Sequence, residues 1–205
     1  MFHVFSRITE YRIRTEMALN LTPEIVMHEN HGVLLTFFDE RMQRDGIEKT
    51  AEMQQLLDSE AAKTQKMRLY KEHARKLLVI ADEIDSKSSV TMQDLVSKIP
   101  PDAEREILIQ VAQKILSEDI TWGKIAALFL FTYKVCIRVI DGFSLIKNVI
   151  NIILDFMASR VVSWIIQKGG WKAIQENTIR PTIYRMSIGI IFLSVGVTLL
   201  FLYRK

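Results

Sequence analysis

Residues 121–135, TWGKIAALFLFTYKV, form the stretch that decides how this chain folds. Nine consecutive residues within it, Ile125 to Tyr133, carry no charge. A membrane-spanning helix needs about 20 predominantly apolar residues, and a cation in the middle of a bilayer is costly. Because Lys124, Lys134 and Arg138 interrupt the segment, we predict that it is the buried central helix of a helical protein.

The residues around this helix predict a helical hairpin. Thr121 is placed to cap the N-terminus of the central helix, and Asp141-Gly142 are typical of a turn. The next segment, FSLIKNVINIILDFMASRVV (143–162), has polar residues at every third or fourth position and a wide apolar face between them. Helices 122–140 and 143–160 are therefore expected to pair.

Three more segments upstream have helical patterns. One helix is predicted from Pro23 to near Gly46, and others in HARKLLVIADEIDSK (73–87) and AEREILIQVAQKIL (103–116). Residues 43–70 are polar and predict a loop or a weak helix. With almost no strand pattern, the predicted fold is an all-α bundle around a central hydrophobic hairpin, spanning residues 23–180 after an N-terminal extension, residues 1–22.

The C-terminal segment predicts a membrane anchor. The 18 residues from Met186 to Tyr203 carry no charge, and at 1.5 Å per residue they reach about 27 Å, close to the thickness of a bilayer core. Residues 183–205 are therefore expected to form a transmembrane helix inserted after synthesis, with the preceding bundle in the cytosol. A further core helix is the alternative.

Charge is distributed unevenly along the chain. Residues 1–119 hold 16 Lys/Arg and 21 Asp/Glu, whereas residues 120–205 hold 11 and 3, so the overall charge of +3 conceals a cationic second half. The basic residues are scattered among apolar helices, which favours an anionic lipid surface over nucleic acid as a partner. The single cysteine, Cys136, allows no intramolecular disulfide and is interpreted as a small buried hydrophobe.

The sequence contains no pattern typical of an enzyme. It has no glycine-rich phosphate loop, no Cys/His pair at zinc spacing and no G-x-S-x-G motif. His28 and His31, three residues apart, have no cysteine and no further histidine close in sequence with which to hold a metal. We therefore predict no catalytic residue, metal or cofactor.

Three stretches occur in an order that resembles a known family. HARKLLVIADEIDSK, then TWGKIAALF, then SWIIQKGGW (163–171), followed by a hydrophobic tail, are similar to the third, first and second homology motifs of the Bcl-2 family of apoptosis regulators. The resemblance covers roughly residues 23–205. It implies a helical bundle around a central hydrophobic hairpin, with an apolar groove that binds the third-motif helix of a partner.

The resemblance also assigns residues to the three motifs. The third-motif helix comprises His73, Leu77, Ile80, Ala81, Asp82 and Ile84; the first motif, at the floor of the groove, comprises Thr121, Trp122, Gly123 and Lys124; the second motif comprises Trp164, Gly169, Gly170 and Trp171. Lys124 takes the place of the Arg that pairs with the third-motif Asp in the family. His73 stands at an otherwise apolar position, and Ala81 stands where Gly is common.

The resemblance implies two opposite functions. The motif ADEIDSK and the basic central helix resemble those of Bax-like effectors, which open, dimerise through the third motif and permeabilise the mitochondrial outer membrane. Lys134, Arg138 and Lys147 would then contact anionic lipids. The alternative is an anti-apoptotic guardian that sequesters the third-motif helix of effectors; an unrelated tail-anchored adaptor is a third class.

The expected partners follow from the effector function. They are other Bcl-2 family proteins, further copies of this chain and the anionic lipids of the mitochondrial membrane, and no nucleic acid. The expected location is the cytosol and the mitochondrial outer membrane. The subtype among the Bax, Bak and Bok branches stays open.

Overall fold

The computed structural model describes residues 21–61, 67–100, 104–140 and 142–176. These residues form eight helices and no strand, which confirms the all-α class. The helices are α1 Pro23–Asp45, α2 Ala51–Ala61, α3 Met67–Ser97, α4 Arg105–Ile115, α5 Trp122–Arg138, α6 Phe143–Arg160, α7 Val162–Gln167 and α8 Ala173–Glu176.

Helix α1 begins and ends at the residues that its sequence predicts. The Thr22 hydroxyl accepts a hydrogen bond from the Ile25 backbone N–H at 3.3 Å, and Pro23 occupies the first position, where its missing N–H costs nothing. Gly46 ends the helix in the left-handed conformation, with φ at 67°, a region that glycine enters at little steric cost.

Helix α2 lies in the region predicted as a loop or weak helix. Residues 47–50 are indeed irregular, but Ala51–Ala61 form a helix of 11 residues. Its Met53 and Leu57, four positions apart, are buried, and α2 packs against α1. Two apolar positions in a polar segment predict such a helix only weakly, because tertiary packing supplies most of its stability.

Helix α5 is the buried centre of the bundle. The Thr121 hydroxyl accepts a hydrogen bond from the Lys124 backbone N–H at 3.2 Å, which confirms the predicted cap. Every side chain from Ile125 to Tyr133 is buried. Phe37 of α1 contacts Phe129 edge to face at 5.6 Å between ring centroids, and the most extensive helix contacts join α3 to α5 and α1 to α3.

The predicted hairpin of α5 and α6 is confirmed. Helix α5 ends at Arg138 and α6 begins at Phe143, with the Gly142 N–H donating to the Val139 carbonyl at 2.8 Å in the turn. The apolar face of α6 is buried through Ile146, Ile153 and their neighbours.

Two glycines end the helix that carries Trp164. Gly169 and Gly170 have φ of 92° and 86°, a region open to glycine and strained for other residues. The Gly170 N–H donates to the Ile165 carbonyl at 2.8 Å, so the chain leaves α7 in a sharp turn. Trp171 lies in this turn and the next helix starts at Ala173.

None of the helices in residues 21–61, 67–100, 104–140 and 142–176 is both long and apolar enough to cross a membrane. The predicted anchor from Met186 to Tyr203 lies outside the described residues.

Candidate protein-interaction site

The apolar face of the third-motif helix is packed inside its own bundle. Leu77, Ile80, Ala81 and Ile84 are buried on α3, which lies between α1 and α5. On the opposite face of the same helix, Val79 is 59% exposed. The side chains predicted to enter a partner's groove are therefore part of the core in this conformation, and no partner can reach them until α3 moves.

A polar cluster lies beside this face and joins α3 to α1. The Arg41 guanidinium donates to Asp82 Oδ1 at 2.8 Å, to Asp85 Oδ2 at 2.7 Å and to Asp45 Oδ2 at 3.1 Å. Arg44, one turn further on α1, donates to Asp82 Oδ2 at 2.8 Å. Asp82 and Asp85 of the third motif are thus held by cations of α1.

The central helix supplies the rest of this cluster. Lys134 Nζ lies 3.0 Å from Asp85 Oδ1, and the Tyr133 hydroxyl donates to Asp45 Oδ2 at 2.7 Å. Burial, together with the bond to Asp45, raises the pKa of Tyr133 above its ordinary value, so the phenol stays a donor. We call the set the Arg41 cluster; it consists of Arg41, Arg44, Asp45, Asp82, Asp85, Tyr133 and Lys134.

The charges of the Arg41 cluster are balanced, with three cations and three carboxylates. Burial lowers the pKa of Arg41, but Asp45, Asp85 and Asp82 outweigh that effect and raise it overall. A partly buried charge that is fully partnered is tolerated, whereas removal of one partner leaves another charge uncompensated. The cluster therefore stabilises one arrangement of α1, α3 and α5.

The expected pairing of Asp82 with Lys124 does not occur within this chain. Asp82 pairs with Arg41 and Arg44, while Lys124 is buried and its ammonium donates to the Ser117 carbonyl. Arg41 and Arg44 stand three positions apart on α1, at a spacing that places them on one face. The sequence could therefore show that the two arginines act together. Only the packing of α1 on α3 shows which carboxylates the arginines bind.

Two of the three predicted membrane-surface cations hold α3 in place. Lys134 is engaged with Asp85, and Arg138 donates to the carbonyls of Val96 and Ile99 at the C-terminal end of α3, at 2.7 Å in the second case. A cation at the C-terminus of a helix stabilises its last carbonyls. Lys147 is exposed, with its ammonium 5.6 Å from the centroid of the Phe143 ring.

The three motifs meet in an aromatic cluster near the beginning of α3, which we call the tryptophan cluster. Trp122 of the first motif contacts Trp164 edge to face at 5.0 Å and Trp171 at 5.4 Å. His73 of the third motif stacks on Trp171 at 6.0 Å, with 25° between the ring planes. The sequence predicts these residues as members of separate motifs, and the fold brings them together.

Trp171 and Thr121 fix the tryptophan cluster to its surroundings. The Trp171 indole Nε1 donates to Asn30 Oδ1 of α1 at 3.0 Å, and both side chains are buried. Thr121 caps α5 immediately before Trp122, and Gly123 is buried in the first turn of α5. Asn30 is a functional candidate that the motif pattern missed, because it lies on α1, far from the motifs in sequence.

The three described histidines and Cys136 form no arrangement suited to metal binding. In the described part of the chain, no group of three His, Cys, Asp or Glu side chains could hold a metal ion. His28 Nδ1 is 3.1 Å from the Tyr70 hydroxyl, and Tyr70 lies over Gly32 in the contact between α1 and α3. Cys136 is buried, which raises the pKa of its thiol.

Comparison with known protein families matches the region of the three motifs. Residues 77–171 match the model of a family described as "Apoptosis regulator proteins, Bcl-2 family". "Apoptosis regulator BAX" of Bos taurus is 30% identical over 106 residues, which are 50% of this chain and 54% of BAX. "Bcl-2 homologous antagonist/killer" of Homo sapiens is 30% identical over 106 residues, 48% of this chain and 49% of that protein.

A third relative and two solved structures complete the comparison. "Bcl-2-like protein 1" of Gallus gallus is 24% identical over 95 residues, 44% of this chain and 42% of that protein. The chain spans about half the length of the first two relatives. The crystal structure of chicken BOK matches with a TM-score of 0.59 and 16% identity, over 78% of this chain and 100% of BOK.

The second structure is that of Trichoplax adhaerens trBcl-2L2 bound to trBak BH3. It matches with a TM-score of 0.59 and 15% identity, over 74% of this chain and 97% of that one. At these identities the two structures establish a shared fold.

Proposed function

We propose that this chain, whose residues 77–171 match the model of the Bcl-2 family, is a pro-apoptotic effector of the Bax-like type. In this function it opens, dimerises by placing its third-motif helix in the groove of a partner, and permeabilises the mitochondrial outer membrane. Identities of 30% to BAX and to the Bcl-2 homologous antagonist/killer support the proposal.

The observation that carries the proposal is the burial of the third-motif helix. Leu77, Ile80 and Ile84 can bind another molecule only after α3 leaves α1 and α5, because all three are core residues of the closed bundle. The Arg41 cluster holds α3 at its acidic flank, so release requires the ion pairs of Asp82 and Asp85 to break. A protein built in this way has a closed state and an open state with different binding surfaces.

Release of α3 would also prepare the chain for a membrane. When α3 moves away, Lys134 loses its contact with Asp85 and Arg138 loses its contact with the carbonyl at the end of α3. Both cations can then bind anionic headgroups, while the apolar faces of α5 and α6 enter the acyl region. In this proposal residues 183–205 anchor the chain in the mitochondrial outer membrane with the bundle facing the cytosol. The partners are other Bcl-2 family members, further copies of this chain and anionic lipids.

The alternative function is that of a guardian. The fold neighbour trBcl-2L2 is bound to trBak BH3, so the same fold can hold a third-motif helix that belongs to another protein. A guardian keeps its own bundle closed and uses the groove beside Trp122 and Lys124 to sequester effectors.

Dye release from liposomes of outer-membrane composition distinguishes the two functions. We expect the full chain to release dye when a third-motif peptide is added, and the Arg41→Gln variant to release it with less peptide. Loss of one partner of a partly exposed cluster costs about 1–2 kcal/mol, which shifts the opening equilibrium roughly 5- to 30-fold. Arg68→Gln, which removes an exposed pair with Glu72, is the matched control and is expected to change little.

The opposite result would assign the guardian function. If the activated chain leaves liposomes intact and suppresses dye release by BAX, the effector proposal is wrong.

A further inference from the structure

His73 is a polar residue at a buried position of the tryptophan cluster. An apolar residue at this position would leave no polar atom without a hydrogen-bond partner. Its side chain is on α3, one turn before Leu77, and is 5% exposed. The imidazole stacks on Trp171, which in turn contacts Trp122. His73 Nδ1 has no hydrogen-bond partner among the residues that the structure describes.

This environment accepts a neutral imidazole and disfavours a charged one. A protonated ring carries an N–H at Nδ1 that needs a hydrogen-bond acceptor or solvent, and the closed bundle supplies neither to that atom. Burial accordingly lowers the pKa of His73 to about 4.

The charged groups around His73 do not compensate for its burial. Glu72, its neighbour on α3, favours the charged form, and Lys172, from the turn after Trp171, opposes it. Helix α5 contributes the uncharged Trp122 to the cluster, and α1 contributes the uncharged Asn30 through its bond to Trp171. No carboxylate from another helix is placed to stabilise an imidazolium here, among the described residues that act on this ring.

We propose that His73 makes the release of the third-motif helix sensitive to acid, because the closed tryptophan cluster holds only its neutral form. The proposal rests on the opening step of the proposed function. Proton uptake by His73 drives the beginning of α3 off Trp171, in the part of the helix that precedes Asp82 and Asp85 of the Arg41 cluster. No bond is made or broken apart from the transfer of one proton from solvent to the ring.

The direction of the effect follows from linkage. In an open chain His73 is solvated and has the ordinary pKa of 6.5, whereas in the closed bundle the pKa is about 4. Between these values the open state binds a proton that the closed state lacks, so closure is fully stabilised above pH 6.5 and weakens as the pH falls. The ratio of open to closed chains therefore rises roughly tenfold per pH unit within the window.

Hydrogen exchange of the full chain without membranes tests the proposal. Amides of residues 77–84 on α3 are followed at pH 7.4 and 5.5, after correction for the intrinsic pH dependence of exchange. We expect the opening equilibrium to increase roughly tenfold at the lower pH in the wild-type chain. His73→Phe keeps an aromatic ring on Trp171 without a titrating nitrogen, and we expect its opening to be independent of pH in this range.

His28→Gln is the matched control, since it removes an exposed imidazole on α1 that reaches Tyr70. This variant should keep the acid response. If His73→Phe also keeps the wild-type response, or if His28→Gln abolishes it, the proposal is overturned. An NMR titration of the wild-type histidines gives an independent measurement: a His73 ring that titrates near pH 6.5 in the closed bundle overturns the proposal even if His73→Phe fails to fold.

The test is separate from that of the effector function. Acid-dependent exposure of α3 with no dye release supports the role of His73 and contradicts the proposed function. Dye release together with pH-independent exposure of α3 supports the effector function and contradicts the role of His73.

Discussion

Trp171 connects the second motif to α1 and to the third motif at once. Its indole N–H donates a buried 3.0 Å hydrogen bond to Asn30, while its ring stacks with His73 and contacts Trp122 at a tilt. A buried amide that loses its donor retains the full cost of its desolvation. The interaction between Trp171 and Asn30 is therefore expected to contribute more than apolar area alone.

A double-mutant cycle measures this contribution. Trp171→Phe in the wild-type chain leaves Asn30 Oδ1 unpaired and should lower the free energy of unfolding by about 1–3 kcal/mol beyond the loss of ring volume. In a chain that already carries Asn30→Val, the same change should cost less by about 1 kcal/mol or more. Urea unfolding followed by circular dichroism gives each value.

Trp164→Phe is the control for this cycle. Trp164 contacts the same Trp122 ring but is only half-buried, and its neighbour Lys168 lies over the ring face. Its substitution should cost the same with Asn30 or Val at position 30. Strict additivity of Trp171→Phe and Asn30→Val would mean that the buried hydrogen bond has no net energetic role.

At the scale of elements, α5 holds α3 at two places. Lys134 binds Asp85 in the middle of α3, and Arg138 binds the carbonyls of Val96 and Ile99 at its C-terminal end. Both cations lie on α5, which moves to the membrane in the proposed function. A closed bundle and a lipid surface therefore compete for the same two charges.

Neutralising both cations should separate these two roles. Lys134→Gln with Arg138→Gln is expected to destabilise the closed bundle by about 1–3 kcal/mol, because Asp85 and the α3 carbonyls lose charged partners. The thermal midpoint should fall by several degrees. Binding to anionic vesicles should also weaken, by about 1 kcal/mol per cation. Thermal unfolding and vesicle sedimentation provide the two readouts.

Lys147→Gln is the matched control on α6. Its ammonium is exposed above Phe143, so the change should weaken vesicle binding without altering the thermal midpoint. An equal loss of stability in Lys147→Gln and in the double variant would contradict the assignment of Lys134 and Arg138 to the closed state.

At the scale of the whole molecule, the proposed function places membrane attachment and membrane permeabilisation in different segments. None of the described helices is long and apolar enough to cross a membrane. In the proposed function, residues 183–205 provide the stable attachment. The hairpin of α5 and α6 would act on the membrane only after the bundle opens.

Shortening the chain tests the proposed anchor. A chain that ends at Arg185 should stay in the cytosolic fraction, whereas the full chain should sediment with mitochondria. Val195→Arg in the full chain keeps the length and places a charge near the centre of the apolar run, which is costly in a bilayer. This variant should behave like the shortened chain. Equal sedimentation of all three would show that the tail is not the anchor.

Local patterns in the sequence predict most of the helical fold. The 3.6-residue periodicity, the caps at Thr22 and Thr121, and the glycines at positions 46, 169 and 170 determine where helices begin and end. These signals act over a few residues, so they can be identified without the fold. The order of the three motifs likewise indicates the family, the all-α class and the central hairpin.

Only the tertiary structure decided which groups meet. Arg41 and Asp82 are 41 positions apart, and Trp171 and Asn30 are 141 apart, so no local pattern pairs them. Periodicity indicates that Leu77, Ile80 and Ile84 share an apolar face, but it does not say whether a partner or the chain's own central helix covers that face. The sequence likewise shows the charge of Lys134 but not its partner. The packing of α3 on α5 brings Asp85 next to Lys134. Helix formation follows from neighbours along the chain, whereas burial and ion pairing depend on neighbours in space.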